Sequence, residues 1–235
     1  MLSLITPTGG RPAAFRLLER YIADQTYTGM VEWIVVDDGP APMTITGPKL
    51  IRAPRVIRRE PCWTPRGGPT LVANLAAGLR EARGEKILFI EDDECYLPRY
   101  LENMEAALDR HQIAGQVPAR YYNVRTRTYR VLSNETHASL CQTGIRRELV
   151  EPFLGMLQAL PNPFLDIPLW RRFGPDGLSF GAADVVSIKG MPGRPGIGAG
   201  HRPSGVSWNR DPDCVELRSW VGTRYTEYLP FYVPR

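Results

Sequence analysis

The chain lacks a long apolar run and has few cysteines. Its apolar runs are all far shorter than the roughly 20 residues that span a bilayer, and residues 1–10 lack the pattern of a signal peptide. The sequence therefore predicts a cytoplasmic protein with no membrane partner. No CxxC pair indicates a zinc or redox site, so we expect free thiols at all four cysteines: Cys62, Cys95, Cys141 and Cys214.

Lysine is also scarce, which leaves arginine as the main basic residue. Lys49, Lys86 and Lys189 are the only lysines among 29 basic residues, so 26 are arginine, against 25 acidic residues. Arginine binds phosphate through two hydrogen bonds and stacks on bases, which favours nucleotide or nucleic-acid partners. GC-rich coding bias explains the same skew and stays open. Nothing in the sequence indicates an obligate protein partner.

Strands and helices alternate along the first half of a chain whose 235 residues predict one domain, 1–235. We predict strands at 2–6, 33–36, 50–57 and 86–90, and helices at 12–26 and 70–83. This pattern is typical of a Rossmann-like α/β fold with a doubly wound, mostly parallel sheet, which binds ligands beyond the carboxyl ends of its strands. Thr6, the Asp37–Asp38 pair and residues 91–94 follow such strands. We therefore expect them to meet in one nucleotide-binding crevice.

Four consecutive carboxylates, Glu91-Asp92-Asp93-Glu94, come directly after the apolar strand 86–90. Four adjacent negative charges repel one another, and a divalent cation relieves that repulsion. Oxygen ligands on a short turn suit Mg²⁺ or Mn²⁺, which also hold a diphosphate. The alternative is a solvated acidic loop, which the position at the carboxyl end of a strand disfavours.

Three motifs occur in order: Leu4-Ile-Thr-Pro-Thr-Gly-Gly-Arg11, Ile34-Val-Val-Asp-Asp-Gly39, and Ile87 to Asp93 preceded by Gly78-Leu79, Ala82 and Gly84-Glu85. Over about the first half of the chain they resemble family 2 glycosyltransferases with the GT-A fold. The resemblance implies a nucleotide-sugar-binding half over 1–96 and an acceptor-binding α+β half over 97–235. Two positions depart from the family: Glu91 replaces the first aspartate of the DxD motif, and Ala76 replaces a common asparagine, with Asn74 nearby.

The resemblance implies a nucleoside-diphosphate sugar as donor, with a UDP-sugar expected first, and one divalent cation, Mn²⁺ or Mg²⁺. Asp37 and Asp38 are expected to contact the base and ribose, and the DxD carboxylates to hold the metal on the diphosphate. The predicted donor-binding residues are Thr6, Pro7, Thr8, Arg11, Asp37, Asp38, Arg66, Asp92, Lys189 and Arg194. The predicted metal ligands are Glu91, Asp93 and His201.

Lys189, Arg194 and His201 lie in a glycine-rich stretch, 189–201, whose five glycines allow close approach to a ligand. Lys189 or Arg194 is predicted to neutralise the leaving diphosphate. His201 is predicted as a metal ligand, as a histidine is in many GT-A enzymes, and a purely structural histidine is the alternative. The stretch is also a candidate mobile lid.

Asp166 stands before a short predicted helix, in a position that resembles the catalytic carboxylate of the family. We predict that Asp166 is the general base of an inverting transfer, because one carboxylate must take the proton of the acceptor hydroxyl. Helix capping is the alternative. Asp176 and Asp184 are weaker substitutes.

Residues 120–130 interleave four arginines with three tyrosines on a predicted hairpin, which lies between helices predicted at 97–111 and 146–160. Such a hairpin suits an anionic acceptor such as DNA, although a solvated hairpin is equally compatible. The short chain resembles phage-type enzymes that glycosylate hydroxymethylated bases, so a 5-hydroxymethylated base in DNA is the predicted acceptor. A surface glycan or a small molecule is the alternative acceptor. The alternative functions are a sugar-1-phosphate nucleotidylyltransferase, a metal-dependent nuclease and a DNA-binding module.

Overall fold

The structure is a computed structural model that describes residues 1–46, 54–60, 64, 70–160, 164–201 and 208–233. Arg66, Cys62 and the first residues of the predicted strand 50–57 lie outside the described residues. Cys95, Cys141 and Cys214 are buried free thiols, as predicted. In the described ranges, no helix is long and apolar enough to cross a membrane.

The described residues form twelve strands and six α-helices. The strands are β1 Leu2–Thr8, β2 Val31–Asp37, β3 Arg55–Arg58, β4 Lys86–Phe89, β5 Glu94–Tyr96, β6 Ile113–Val117, β7 Ala119–Asn123, β8 Thr128–Leu132, β9 Thr143–Arg146, β10 Leu178–Phe180, β11 Val185–Lys189 and β12 Asn209–Arg210. The helices are α1 Pro12–Ala23, α2 Leu71–Glu81, α3 Tyr100–Leu108, α4 Val150–Ala159, α5 Asp166–Phe173 and α6 Val215–Val221.

The larger sheet has the strand order β10-β6-β9-β4-β1-β2-β3. Strands β3, β2, β1 and β4 run parallel, and β9 lies antiparallel between β4 and β6. The apolar β4 is central, and its residues Ile87, Leu88 and Phe89 are fully buried because the sheet is covered on both faces. The predicted α/β fold with a mostly parallel sheet is confirmed.

Side chains of this sheet alternate between two cores. Leu4 and Val35 join the core that contains Phe15 of α1, whereas Ile5 and Val36 join the core that contains Leu75 of α2. This period of two is the geometry of a strand with both faces buried. The carboxyl ends of β1, β2 and β4 are thereby held side by side at one edge of the sheet.

The smaller sheet has the order β12-β8-β7-β11-β5. Only its β11–β7 pair is parallel. Its strand β5 precedes residue 97, while β6, β9 and β10 of the larger sheet follow that residue. The two predicted halves, 1–96 and 97–235, therefore each contribute strands to both sheets.

Several predicted elements differ in extent from those observed. The helices predicted at 12–26, 70–83 and 97–111 are shorter, as α1, α2 and α3. The range 146–160 begins with the last residue of β9 and becomes α-helical only at α4. Between β2 and β3, the described residues 38–46 form no helix, because Gly39, Pro40 and Pro42 disfavour one.

Two glycines inside helices have opposite surroundings. A Cβ on Gly78 of α2 would lie 2.5 Å from Cγ2 of Ile5, whereas nothing lies within 4 Å of the Cβ position of Gly155 in α4. We expect Gly78→Ala to lower the free energy of unfolding by about 1–3 kcal/mol through overpacking. Gly155→Ala should raise it by up to about 1 kcal/mol through helix propensity. Urea denaturation of both variants measures the difference, and equal changes would contradict the packing argument.

Candidate active site

A cavity of about 340 Å³ opens at the carboxyl ends of β1 and β4 and is lined by residues of both sheets. Most of the predicted site residues line it: Pro7, Thr8, Arg11, Glu91, Asp92, Asp93, Asp166, Lys189, Arg194 and His201. Thr6, Asp37 and Asp38 do not line it. The crevice at the strand ends therefore brings together residues that are far apart in sequence.

The acidic turn, residues 91–94, forms one wall of this cavity. Glu91, Asp93 and Glu94 each place a carboxylate oxygen within 4.8 Å of the others. Burial raises the pKa of Glu91 to about 8, and the negative charge of Glu94 adds to this effect. Burial also raises the pKa of Glu94 to about 7, although Lys189 opposes it. These carboxylates need additional positive charge, and oxygen donors at this spacing fit Mg²⁺ or Mn²⁺.

Arg11 and Thr8 hold the middle of the acidic turn. The Asp92 carboxylate accepts hydrogen bonds from Thr8 Oγ1 at 2.7 Å and from Arg11 Nη1 at 2.7 Å. The same Arg11 nitrogen lies 3.0 Å from Asp93 Oδ1. Burial works to raise the pKa of Asp93, but the charges of Arg11 and Lys189 outweigh it and hold that pKa below its ordinary value. Asp93 is therefore the most readily ionised member of the cluster.

Lys189 and His201 approach the acidic turn from the glycine-rich stretch. Lys189 is buried, and its Nζ donates to Glu94 Oε1 at 2.5 Å, while Glu94 Oε2 accepts from the Ile188 amide at 2.9 Å. His201 Nε2 lies 3.5 Å from Asp93 Oδ2. Burial and the charge of Lys189 lower the pKa of His201 to about 3, so its ring is neutral and retains a nitrogen lone pair. The carboxylate cluster itself contains Glu94 in the place for which the sequence predicted His201.

Arg194 fastens the glycine-rich stretch to the donor side of the cavity. Its Nη1 donates to Asp38 Oδ1 at 2.8 Å, and its Nη2 donates to Thr70 Oγ1 at 2.7 Å. Its backbone amide donates to the Gly10 carbonyl, and its carbonyl accepts from Arg11 Nε. Gly193, with φ of +104°, allows this approach, because a Cβ there would contact the Gly10 carbonyl.

The carboxylates of Asp37 and Asp38 are paired with other groups of the protein. Asp37 accepts from the amides of Gly39 and Met43, at 2.8 and 2.7 Å, and from Arg58 Nη1 at 2.9 Å. Both aspartates are fully buried. Thr6 is buried as well, and its hydroxyl accepts from the Trp33 indole at 2.8 Å. Thr6, Asp37 and Asp38 were predicted to contact the donor. In this structure they lie buried behind the residues that line the cavity and support its wall.

Asp166 is the first residue of α5 and also lines the cavity. Its Oδ1 accepts from the Ile167 amide at 3.0 Å. Of the described residues that line the cavity, Asp166 is the only carboxylate outside 91–94. The weaker substitutes lie elsewhere: Asp176 is exposed, and Asp184 accepts from Asn103 and Gln116.

The predicted hairpin is observed as β7 and β8, but its arginines face different ways. Arg120 lies 5.7 Å from the Trp220 ring, and Arg127 donates to the Pro212 carbonyl and stacks on Tyr232. Arg125 is exposed in the turn. Arg130 alone among these four lines the cavity. The arginines therefore form no continuous basic surface on this hairpin.

Sequence reasoning gave no individual role to several residues that line the cavity. Glu94 was one of four adjacent acids, and Tyr121, Arg130, Ser187 and Trp208 come from separate strands or loops. The register between neighbouring strands brings these residues to the cavity, and a sequence does not reveal that register directly. Alternation within β7 and β8 was the available signal, because it separates the two faces of the hairpin.

Sequence comparison places the first two thirds of the chain in a known family. The profile of the family described as "Glycosyl transferase family 2" matches residues 3–158, which is more than half of the 235 residues. No curated protein sequence matches the chain significantly.

Solved structures share its fold at low sequence identity. S. aureus TarS 1–349 in complex with UDP-GlcNAc superimposes with a TM-score of 0.53 and 18% identity over 88% of this chain and 61% of TarS 1–349. The same protein in complex with UDP gives a TM-score of 0.52 and 17% identity over 80% and 60% of the two chains. The chain thus spans about 60% of the length of these structures. The likeness establishes the fold.

Proposed function

The chain belongs to glycosyl transferase family 2 and has the GT-A fold, and from this premise we propose that it transfers a sugar from a nucleoside-diphosphate sugar to an acceptor hydroxyl. One observation carries the proposal. The cavity at the strand ends joins a cluster of carboxylates to cationic side chains, among them those of Arg11, Lys189 and Arg194. A diphosphate bound through a divalent cation requires both kinds of group.

We propose that Glu91 and Asp93 hold the cation, Mn²⁺ or Mg²⁺, with Glu94 or His201 as the further protein ligand. When bound, the cation supplies positive charge to the diphosphate that leaves during transfer. Lys189 already donates a hydrogen bond to Glu94 Oε1. His201 is therefore the better candidate for the further ligand. Arg11 and Arg194 face the same space and would stabilise the phosphate oxygens.

The donor to test first is a UDP-sugar. TarS, which shares the fold, has been solved with UDP and with UDP-GlcNAc, which supports this choice. Pro7, Thr8 and Asp92 line the cavity, and we propose that they contact the nucleotide of the donor. For Asp37 and Asp38 to contact base and ribose as predicted, Arg58 and Arg194 would have to release these carboxylates. Thr6 would not contact the donor and would act only by supporting the cavity wall.

Transfer is proposed to proceed with inversion, with Asp166 as general base. In that reaction the acceptor oxygen attacks the anomeric carbon opposite the leaving nucleotide, and Asp166 takes the hydroxyl proton. Asp166 lines the same cavity as the acidic turn but belongs to α5, which supports separate roles for the two.

A hydroxymethylated base in DNA is the acceptor that we propose to test first. The net charge of +4 and the arginine-rich composition support an anionic acceptor. Of the hairpin arginines only Arg130 lines the cavity, so it is the only one of them that could contact such an acceptor there.

Calorimetric titration of UDP with and without Mn²⁺ tests the donor proposal. We expect binding to strengthen by about 10- to 100-fold when Mn²⁺ is present, because the carboxylate cluster is otherwise repelled by the diphosphate. Turnover of a UDP-sugar on hydroxymethylated DNA then tests the acceptor. Metal-independent UDP binding would contradict the metal site, and no binding of UDP or other nucleoside diphosphates would contradict the donor class.

A further inference from the structure

A row of side chains crosses the smaller sheet and lines the cavity along its length. The strand register pairs Glu94 of β5 with Ser187 of β11, Ser187 with Tyr121 of β7, and Tyr121 with Arg130 of β8. Directly paired residues project from the same face of a sheet. All four residues line the cavity. They form the cavity row, which begins in the acidic turn.

Trp208 extends the cavity row by one strand. β12 pairs Asn209 with Tyr129 and Arg210 with Thr128, so the same antiparallel register continues from Trp208 to Arg130. Trp208 also lines the cavity. Gly200 leaves room for its indole, because a Cβ on Gly200 would lie only 3.2 Å from Trp208 Cη2.

The cavity row has a metal end and an arginine end. Neighbouring strands lie about 4.8 Å apart, so the three steps from Glu94 to Arg130 span roughly 14 Å. The backbone of Arg130 therefore lies well away from that of the acidic turn. This leaves the arginine end of the row available to an acceptor.

Arg130 is suited to bind an anion. In the described part of the chain, no hydrogen bond or ion pair engages its guanidinium. The side chain is nevertheless half-buried in the cavity wall. A guanidinium in such a position binds phosphate strongly, because its planar fork donates two parallel hydrogen bonds.

The rest of the arginine end is aromatic and apolar. Tyr121 and Trp208 flank Arg130 in the row, and Leu132, two residues further along β8, also lines the cavity. The Tyr121 hydroxyl already shares a hydrogen bond of 2.9 Å with Ser139 Oγ. A planar ring packs on such aromatic faces without leaving polar groups unpaired.

We propose that the Tyr121–Arg130–Trp208 end of the cavity row is the acceptor subsite, and that it takes a phosphate-bearing acceptor whose reactive hydroxyl is carried by a planar ring. This inference rests on the proposed glycosyl transfer. Arg130 binds the phosphate, and Tyr121 and Trp208 pack against the ring. The length of the row sets the distance between that phosphate and the hydroxyl that reaches the donor.

The test compares two probes on the full chain saturated with UDP and Mn²⁺: 5-hydroxymethyl-2′-deoxycytidine 5′-monophosphate and its nucleoside, which lacks the phosphate. We expect the monophosphate to bind about 10- to 100-fold more tightly, the range of a charge-assisted hydrogen-bond pair. Arg130→Gln should abolish that difference without changing UDP affinity, and Arg130→Lys should restore part of it. Arg125→Gln is the matched control, because it removes an exposed arginine of the same hairpin that does not line the cavity.

Equal binding of the two probes by the unmodified chain would overturn the inference, as would equal losses in Arg130→Gln and Arg125→Gln. Undiminished UDP binding in such a result would leave the donor proposal standing, so the two failures are distinguishable. A single-stranded oligonucleotide that contains the same base separates the sources of the phosphate. Tighter binding than the monophosphate, with the same dependence on Arg130, supports a nucleic-acid acceptor; no gain supports a small phosphate ester.

Discussion

Replacing Asp93 with alanine is expected to abolish Mn²⁺-dependent donor binding and, with it, sugar transfer. Asp93 offers a carboxylate oxygen to the cluster with Glu91 and Glu94, and it is the member whose pKa lies below the ordinary value. Its loss leaves two carboxylates, one of which is paired with Lys189. Calorimetry with UDP should show that Mn²⁺ no longer gives its gain of about 10- to 100-fold in UDP affinity.

Folding must be separated from binding in this experiment, because Asp93 is buried beside Arg11. Thermal unfolding in metal-free buffer measures that effect, and Asp93→Asn, which keeps the shape of the side chain, should lose donor binding with less effect on unfolding. Asp213→Ala removes an exposed acidic residue and serves as the control with unchanged binding. A folded Asp93→Ala protein whose UDP affinity still rises with Mn²⁺ would remove Asp93 from the metal site.

The parts of the fold that could be predicted are those encoded by local pattern. β4 is a continuous apolar run followed by four acids, so both its burial and its position at a site were visible in sequence. β9 was missed for the opposite reason. It has four residues, and it becomes central only through pairing with β4 and β6. Its Gly144 looks like a turn residue in sequence but allows the backbone to pack against the Leu88 side chain.

The candidate site divides in the same way. Acidic residues at strand ends could be located, but their partners could not, because Arg58 and Arg194 are distant in sequence from Asp37 and Asp38. Those ion pairs decide which carboxylates reach the cavity. The cavity row was hidden as well, since it depends on the register of four strands drawn from separate parts of the chain.

Replacing Asp166 with asparagine is expected to remove transfer and to preserve donor binding. Asparagine keeps the size of the side chain and its ability to accept from the Ile167 amide, but it cannot take a proton from the acceptor hydroxyl. Loss of a general base reduces kcat by about 10²- to 10⁴-fold. Because Asp166 lies outside the acidic turn, the affinity for UDP and Mn²⁺ should stay unchanged. Single-turnover transfer and UDP calorimetry on the same preparation measure both quantities.

The alternative, that Asp166 only caps α5, predicts a different pattern. A capping residue affects stability, and asparagine caps a helix as well as aspartate does. Under this alternative, Asp166→Asn would have the same stability to unfolding and the same transfer activity as the unmodified chain. Asp176→Asn is the discriminating partner variant, because Asp176 follows α5 in an exposed loop and does not line the cavity. Full transfer by Asp166→Asn would reject Asp166 as the base, and loss of transfer in Asp176→Asn alone would move that role to Asp176. Loss in Asp166→Asn alone, with unfolding unchanged, leaves proton transfer as the physical reason for this carboxylate in the cavity.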